Sequence, residues 1–575
     1  MSENWYIYAK KADFAAISRK FNISPMMARI LRNRNLISDE EISSFLYAGT
    51  SDMFDPFLFK DMKKAVSITA DFINNKKKIR IIGDYDCDGV MSSYILETAI
   101  SSLGGEVTTV LPDRVRDGYG INERMVEEAK ADGADLIITC DNGIAAEDAV
   151  KRAEELGLSV IITDHHEPPE NLPPADAVVD AKQTDCTYPY RELCGAAVAY
   201  KFVQALLVFM NINRSDSNVL LGYLIQFAGF ATITDIVPLR GENRIFAKEG
   251  IRRLKNTDNT GLKALMRLKK INTELLSAYH IGFILGPCLN SAGRLKNASL
   301  ALDLLRAETD AAAEECAGEL SQLNEERKAL TASQTLESEK MVQNIIRNTG
   351  DLPVVLAFYL PRAHESVAGI IAGRLKEEYG RPAFVLTNSA DGVKGSGRSV
   401  DAYNMIGEIS KHPELFKKLG GHERACGFTL ACSPEKFMKV ICESCSLSES
   451  ELEKKVWIDM QLPFSYISED LINELSLLEP CGTDNEKPLF AHKNVTAVKT
   501  RILGKAMNVL SMRLRDADGC IVDGVMFGSA EHMEQVKRFA DSEPAFMLTY
   551  VPMINEFGGR RSIQIRIISV KKQNS

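Results

Sequence analysis

The chain has 575 residues, 45% hydrophobic and 26% charged, which excludes a disordered or fibrous polymer and leaves room for three or four domains of about 150 residues. A net charge of −9 excludes a uniformly basic nucleic-acid coat, though not a local basic channel. No apolar run of about 18 residues predicts a membrane span, the start Met-Ser-Glu-Asn-Trp-Tyr has no secretion-signal layout, and twelve scattered cysteines fit reduced thiols of a cytoplasmic protein.

Residues 1–55 read as a small helical segment, with helix starts at Ser24-Pro25 and Ser38-Asp39-Glu40-Glu41. From about 60 to 240, β-rich apolar runs at 79–83, 106–111, 135–140, 158–163 and 177–180 alternate with helical patterns at 90–102, 122–131, 145–156 and 195–210. That alternation predicts an α/β domain over 56–307, with a parallel sheet covered on both faces. In such sheets ligands bind beyond the carboxyl ends of the strands.

Those ends carry the chemistry. The first strand runs into Gly83-Asp84-Tyr85-Asp86-Cys87-Asp88-Gly89. In an extended chain, two-residue spacing aims Asp84, Asp86 and Asp88 to one side. Three carboxylates so close repel, and a divalent cation is the simplest compensation. The third strand ends in Cys140-Asp141-Asn142-Gly143 and the fourth in Asp164-His165-His166. Asp164 is placed to accept a proton from a ring nitrogen and fix the tautomer. Asp235 follows the apolar helical stretch 220–230. Asp86, Asp88, Asp141, Asp235 and His165, with Asp84 and His166 in reserve, are too many donors for one cation and suit two, Mn²⁺ or Mg²⁺. Such a pair performs in-line displacement at phosphorus.

Residues 308–350 are expected to form one long helix, since 310–348 hold no proline and only Gly318 as glycine. A second, smaller α/β unit is expected over 351–450, with strands at 353–358 and 383–387. In it Lys394-Gly-Ser-Gly-Arg-Ser399 reads as a glycine loop whose backbone N–H groups and Arg398 would meet a phosphate. Gly420-Gly-His-Glu-Arg-Ala-Cys-Gly427 reads as a second glycine turn, carrying His422. Cys442-Glu-Ser-Cys445 is a C-x-x-C without a second pair and predicts no zinc site. From 455 to 575 five short β-rich runs, at 494–502, 508–515, 520–527, 545–551 and 562–569, suggest an OB-fold barrel. Over 491–575 there are 13 Lys and Arg against 8 Asp and Glu, a net +5 that leaves −14 for the remainder. This is the footprint expected of a polyanion-binding domain. Arg501, Lys505, Arg513, Arg560 and Arg561 are the candidate cations. Phe527 and Phe557 are candidate stackers, with core packing the favoured reading for Phe527 and either reading open for Phe557.

The motifs Gly83-Asp-Tyr-Asp-Cys-Asp-Gly89, Cys140-Asp-Asn-Gly143 and Asp164-His-His166 resemble the signatures of the DHH phosphoesterase superfamily. Within it, Pro112-Asp-Arg-Val-Arg-Asp-Gly-Tyr-Gly120, Leu289-Asn-Ser-Ala-Gly-Arg294 and Gly395-Ser-Gly-Arg398 resemble the RecJ-type family of single-strand-specific 5′→3′ DNA exonucleases. The resemblance implies a DHH catalytic domain, a long connecting helix, a DHH-associated domain and an OB-fold. It implies Asp84, Asp86, Asp88, Asp141, His165 and Asp235 as metal residues, with Asp141 bridging. His166 would ligate or touch the scissile phosphate, and Asn290 and Arg294 would contact phosphate beside the metals. Arg114 and Tyr119 would face the DNA 5′ end, Ser396 and Arg398 would hold the 5′ phosphate, and His422 and His364 would line the cleft. This chain departs from the pattern at Cys288, where many members carry arginine, at Ala363-His-Glu-Ser366 and at Cys481-Gly-Thr-Asp-Asn485.

The function expected is two-metal hydrolysis of single-stranded DNA from the 5′ end to 5′ mononucleotides, in repair and recombination. The partners expected are single-stranded DNA, a single-strand-binding protein and a helicase, with a monomeric chain and no membrane. Two other readings stand: a phosphodiesterase of short oligoribonucleotides or cyclic dinucleotides, and a catalytically silent single-strand-binding scaffold.

Overall fold

The computed structural model describes residues 3–114, 116–557 and 560–573, without the side chains of Phe557 and Arg560, so two of the candidates for strand binding lie outside the described side chains. The chain forms two compact units. One holds 1–3, 54–237 and 249–454; the other holds 4–53, 238–248 and 455–575.

In the first unit, strands Lys78–Ile82, Glu106–Val110, Leu136–Cys140, Ser159–Thr163 and Ala177–Val179 form one sheet. Every neighbouring pair is parallel, and the spatial order is second, first, third, fourth, fifth. The order reverses between the first and third strands, which opens a crevice beyond their carboxyl ends. Helices Glu123–Ala131 and Glu147–Glu155 cover one face, where Val126, Ala129, Val150 and Ala153 pack with Ile82, Ile137, Val160 and Ile162. Helix Cys87–Ser102 is buried on nearly all sides and packs against Gly195–Phe209 and Arg214–Thr234. By length and composition Arg214–Thr234 is apolar enough to cross a bilayer, contrary to the expectation that no such run exists. Half of that window is buried within the protein, and the helix packs on two others as a core element.

Helix Asp310–Thr349 is 40 residues long, about 60 Å at 1.5 Å per residue. Thr309 starts it by accepting from Ala312 N, and Gly350, left-handed at φ 84°, ends it. Asn324 on this helix is buried and donates to Cys288 Sγ at 3.4 Å, while Arg327 donates to Asn324. Cys288 thus faces the long helix as a packing residue.

A second five-stranded sheet follows, in the order Phe416–His422, Ala425–Leu430, Gly392–Arg398, Ala383–Ser389, Leu356–Tyr359. The expected glycine loop at 394–399 is instead largely a strand of this sheet, whereas the second glycine segment is a hairpin whose two strands reverse at Glu423-Arg424. Gly392–Arg398 pairs with a neighbour on each side, so its ladder occupies backbone N–H groups that a phosphate cradle would need. Its glycines answer a packing demand. A Cβ on Gly395 would lie 2.2 Å from the Phe428 ring, and one on Gly397 would lie 2.7 Å from Cys426 Sγ.

In the second unit, helices Phe14–Phe21, Pro25–Asn33 and Asp39–Tyr47 share one core with the C-terminal strands. Met27, Ile30, Leu31 and Phe45 cluster with Leu478, Phe490, Leu514 and Tyr550. Arg244 is buried in this unit. Its guanidinium donates to the carbonyls of Phe45, Leu477, Leu478 and Glu479 and lies 4.0 Å from the Phe45 ring. Strands Phe490–Leu503, Val509–Arg515, Ile521–Phe527, Arg560–Lys572 and Phe546–Phe557 pair in that order, and the last pairs again with the first. Burial alternates along Ile521–Phe527 and leaves Phe527 outward and 53% exposed, so it is not a core residue. Arg513 pairs with Asp523 and Arg561 with Glu556, while Arg501 and Lys505 are exposed.

Candidate active site

Four chain segments deliver carboxylates and imidazoles to the crevice. After the first strand the chain does not stay extended. Asp86 is the N-cap of helix Cys87–Ser102 and accepts from the N–H groups of Asp88 and Gly89, satisfying donors that a helix start leaves open. Asp88 lies in the first turn and reaches the next helix start, where Gly195 N donates to its Oδ2 at 2.6 Å and Ala196 N to its Oδ1 at 2.8 Å. Asp84 is fully buried, accepts from Gly120 N at 3.3 Å, and has no hydrogen-bond partner at Oδ2. The three acids converge through a strand end and a capped helix, rather than through strand alternation.

Asp141 follows the third strand in a left-handed conformation, φ 60°. Asn142 fixes that turn, donating to Ile82 O and Cys140 O and accepting from Ile121 N. Gly195 packs so closely that a Cβ there would lie 2.6 Å from Asp141 Cβ. His165 Nε2 stands 3.1 Å from Asp141 Oδ1, 3.7 Å from Asp88 Oδ2 and 3.9 Å from Asp235 Oδ2. Asp235 caps the C-terminal end of Arg214–Thr234, where the helix dipole and open carbonyls oppose a carboxylate. Asp164 holds the histidine pair. Its Oδ1 accepts from His165 N and lies 2.7 Å from His166 Nδ1, and its Oδ2 accepts from Ile144 N. The Tyr119 hydroxyl donates to Asp141 O at 2.7 Å and lies 3.2 Å from the His166 ring nitrogens.

Ligand atoms of Asp84, Asp86 and Asp141 lie within 4.8 Å of one another, as do those of Asp88, His165 and Asp235, and those of Asp141, His165 and His166. Asp141 joins the first group to the histidines. The electrostatics of this cluster are unfavourable by themselves. Burial, then Asp86, pushes the Asp88 carboxyl up to about 7. Burial and the neighbouring carboxylates raise Asp84, Asp141 and Asp235 well above the ordinary range. Burial holds His165 neutral, its pKa down to about 3, which leaves Nε2 free to donate a lone pair. Burial opposes charge on both Asp164 and His166, but their mutual hydrogen bond outweighs it, lowering the acid and raising the base. Three buried acids, Asp84, Asp88 and Asp141, two half-buried ones, Asp86 and Asp235, an unpartnered carboxylate oxygen and a neutral imidazole are the donor set that divalent cations fit.

Arg294 donates to Ser366 O at 2.8 Å, and burial, with Arg114 nearby, lowers its guanidinium pKa to about 10. Asn290 spends its carbonyl on Cys87 N, bracing the first acidic turn. The Arg114 guanidinium lies 4.8 Å from the Tyr85 ring. A pocket of about 410 Å³ is lined by Tyr85, Arg114, Tyr119, Glu365, Lys394, Ser396 and Lys418. Lys394, Ser396 and Arg398 project from one face of their strand, and the Arg398 guanidinium rests against Gly369. His422 accepts from Arg424 N, and burial, then Arg398, lowers its pKa. His364 caps helix Glu365–Tyr379, its side chain accepting from Ser366 N while the residue stays exposed. Reasoning from sequence missed Gly195, whose only signal was its place at the start of an apolar helix, and Lys418, which no motif flags; Lys394 stood in the glycine motif but was given no role.

Residues 78–225 match the DHH family N-terminal domain, 353–445 the DHHA1 domain and 458–569 the RecJ OB domain. The chain is 34% identical to the single-stranded-DNA-specific exonuclease RecJ of Bacillus subtilis, over 96% of this chain and 68% of that protein. Against the RecJ exonuclease of Escherichia coli K12 it is 31% identical, over 95% of this chain and 96% of that one. The chain belongs to the RecJ family. Its fold matches the Mn²⁺ complex of RecJ from Thermus thermophilus with a TM-score of 0.82, at 24% identity, over all of this chain and 80% of that one. A second structure, an exonuclease RecJ bound to manganese, matches with a TM-score of 0.55 at 28% identity, over 73% of this chain and 98% of the other. The three domains expected from the motifs are therefore those of the RecJ family.

Proposed function

We infer that this chain is a metal-dependent exonuclease that degrades single-stranded DNA from its 5′ end to 5′ mononucleotides, serving repair and recombination. The observation that carries the reading is the buried cage in which Asp141 belongs to both a carboxylate group and a histidine group. Asp84, Asp86 and Asp141 would hold one divalent cation and Asp88, His165 and Asp235 the other, with Asp141 shared; the relatives solved with Mn²⁺ and Mg²⁺ support this choice of ion. Two such cations, when bound, supply Lewis-acid polarisation of the phosphodiester and of the attacking water.

The chain's own residues do the rest. Asp164 orients both imidazoles, and Tyr119 steadies the Asp141 turn while keeping its hydroxyl beside His166. Arg294 brings a guanidinium into Coulombic range of Asp86, placed to offset charge growing on phosphoryl oxygens. Ser396, with Lys394 and Lys418, would receive the 5′-phosphorylated end in the pocket that Arg114 and Tyr119 also line. Arg398 and His422 would support that end from the same sheet. The enzyme would act as a monomer in the cytoplasm, where a helicase supplies unpaired strand and a single-strand-binding protein keeps it open.

The reading is tested by digesting 5′-labelled single strands, duplexes and short RNA with Mn²⁺, with Mg²⁺ or with chelator. Mononucleotides are expected from single-stranded DNA alone, and only with metal. Equal release from duplex would overturn single-strand specificity, and preference for short RNA would favour the oligoribonucleotide reading.

Two further outcomes follow from the site. Mn²⁺ at 100 times its Kd stabilises a folded site by about 2.7 kcal/mol. Differential scanning calorimetry should therefore show the first unit melting a few degrees higher with Mn²⁺, and Asp88→Asn should remove most of that shift. An equal shift in both proteins would place the ion elsewhere. Arg398→Gln should cut the preference for a 5′-phosphate over a 5′-hydroxyl, read as a ratio of kcat/KM, by about tenfold, the loss of one charge-assisted contact. An unchanged ratio would remove Arg398 from end recognition.

A further inference from the structure

We propose that the second unit carries a separate seat for single-stranded DNA, in which bases stack on Trp457 and phosphates meet a ring of cations, on strands other than those an OB-fold ordinarily uses. The proposal rests on the exonuclease reading for its ligand. Strands Glu3–Ile7 and Lys454–Ile458 form a two-stranded sheet that gathers three aromatic rings. Trp457 stacks on Tyr8, with ring centroids 4.9 Å apart and planes at 21°, and touches Tyr6 at 5.3 Å. Trp457 is 48% exposed and Tyr6 40%, so this cluster is a surface rather than a core.

Beside it opens a groove of about 930 Å³, floored by Val551, Pro552, Met553 and Ile568 of the last two long strands. Its charged lining favours a polyanion: Lys10, Arg34, Arg240, Lys455, Lys487 and Arg566 against Asp459, Asp484 and Glu486. Some of these charges already pair: Arg34 lies 3.9 Å from Asp459, Arg240 3.9 Å from Asp484, and Lys487 3.2 Å from Glu479. That leaves Lys10, Lys455 and Arg566 against Glu486 as the surplus that faces a phosphate chain. Exposed aromatic faces among lysines and arginines are the combination that grips unpaired strands without reading sequence, since every base has a face to stack. A duplex, whose bases are already stacked, gains nothing from Trp457.

OB-folds ordinarily bind along their second and third strands, here Val509–Arg515 and Ile521–Phe527. The groove lies instead on the fourth and fifth, and Arg566 joins the two surfaces. It lines the groove, while its guanidinium stands 5.7 Å from the exposed Phe527 ring at the end of the third strand.

The chain has two tryptophans, Trp5 and Trp457, so Trp5→Phe leaves Trp457 as the sole indole reporter. Full-length Trp5→Phe protein, held in chelator to prevent digestion, would be titrated with an unlabelled oligothymidylate, and binding followed in parallel by anisotropy of a labelled strand. Saturable quenching of Trp457 is expected at the concentrations where anisotropy rises. In the wild-type background Trp457→Ala should raise Kd about 5- to 50-fold, the range for loss of one base–aromatic stack, and Trp457→Phe should restore most of the affinity. Unchanged emission at saturating strand overturns the proposal, and so does a folded Trp457→Ala protein that binds as tightly as wild type. If Trp457→Ala fails to fold, the quenching result alone decides. Digestion by wild-type protein with Mn²⁺ is scored separately. Quenching without digestion sinks the exonuclease reading and leaves the seat standing; digestion without quenching does the reverse.

Discussion

Asp141→Asn is expected to give a protein that is more stable than wild type without metal and has lost at least about a thousandfold in turnover, about 4 kcal/mol of transition-state stabilisation. The substitution keeps the shape of the side chain and removes its charge. In the folded protein that charge is buried beside Asp88, Asp86, Asp84 and Asp235, all of which raise the Asp141 pKa after burial itself. Like charges in a water-poor site cost free energy unless a cation offsets them. An amide can turn its NH2 toward His165 Nε2 and donate to the ring's lone pair, so the local geometry has no reason to collapse. Melting temperature in chelator should therefore rise, by an amount equivalent to about 1–3 kcal/mol. Affinity for a single strand in chelator should stay within a few-fold of wild type, because the cationic surfaces of both units are untouched. Residual activity near wild type, with an unchanged melting temperature, would show that Asp141 is not the shared ligand.

The same electrostatics explain which parts of the site were legible in the sequence. An apolar run that ends in an acid is a local signal, and three such runs, on the first, third and fourth strands, are enough to mark the carboxyl edge of a parallel sheet. What remained hidden depends on partners distant in the chain. Asp84, Asp86 and Asp88 do converge, but through a helix cap whose third acid is oriented by Gly195 and Ala196, more than a hundred positions away. Gly395 and Gly397 looked like a phosphate loop because glycine marks close approach. Here the close approach comes from Phe428, Cys426 and Met405, and the segment is a central strand. Phe527 faces solvent because the strand's alternation places its neighbour Met526 inward. The shared core of the N-terminal helices and C-terminal strands joins residues some 450 positions apart, a pairing that periodicity cannot encode.

The costs described for Asp141 also say why the surrounding backbone is built so tightly. A cage of mutually repelling carboxylates does not assemble by attraction between its members. It must be held by neighbours that have no freedom to relax. Asn142 ties the Asp141 turn to two strands, Asp164 ties both histidines to the Gly143–Ile144 turn, and Gly195 closes the gap between Asp141 and Asp88. Such supports are expected to matter to ion affinity nearly as much as the donors they orient.

Gly195→Ala tests that argument with the smallest change available. One methyl group would lie 2.6 Å from Asp141 Cβ and 3.0 Å from Asp141 Cα, closer than packed carbons allow, and these are near-backbone atoms that cannot swing aside. Gly195 N also donates to Asp88 Oδ2 at 2.6 Å, so pushing the helix start away moves a second ligand from the other three-donor group. Alanine is otherwise favoured over glycine in a helix by about 1 kcal/mol, which offsets part of the strain, and the fold should persist. The expected outcome is a 10- to 100-fold rise in the Mn²⁺ concentration needed for half-maximal activity, the usual range for losing a ligand's support, with turnover partly recovered at high Mn²⁺. Gly318→Ala serves as the control, since a Cβ there meets nothing within 4 Å and should leave the metal titration unchanged. If Gly195→Ala titrates with Mn²⁺ as wild type does, the two donor groups are not mechanically joined at this helix start, and Asp141 and Asp88 must be positioned by the strand and the helix cap alone.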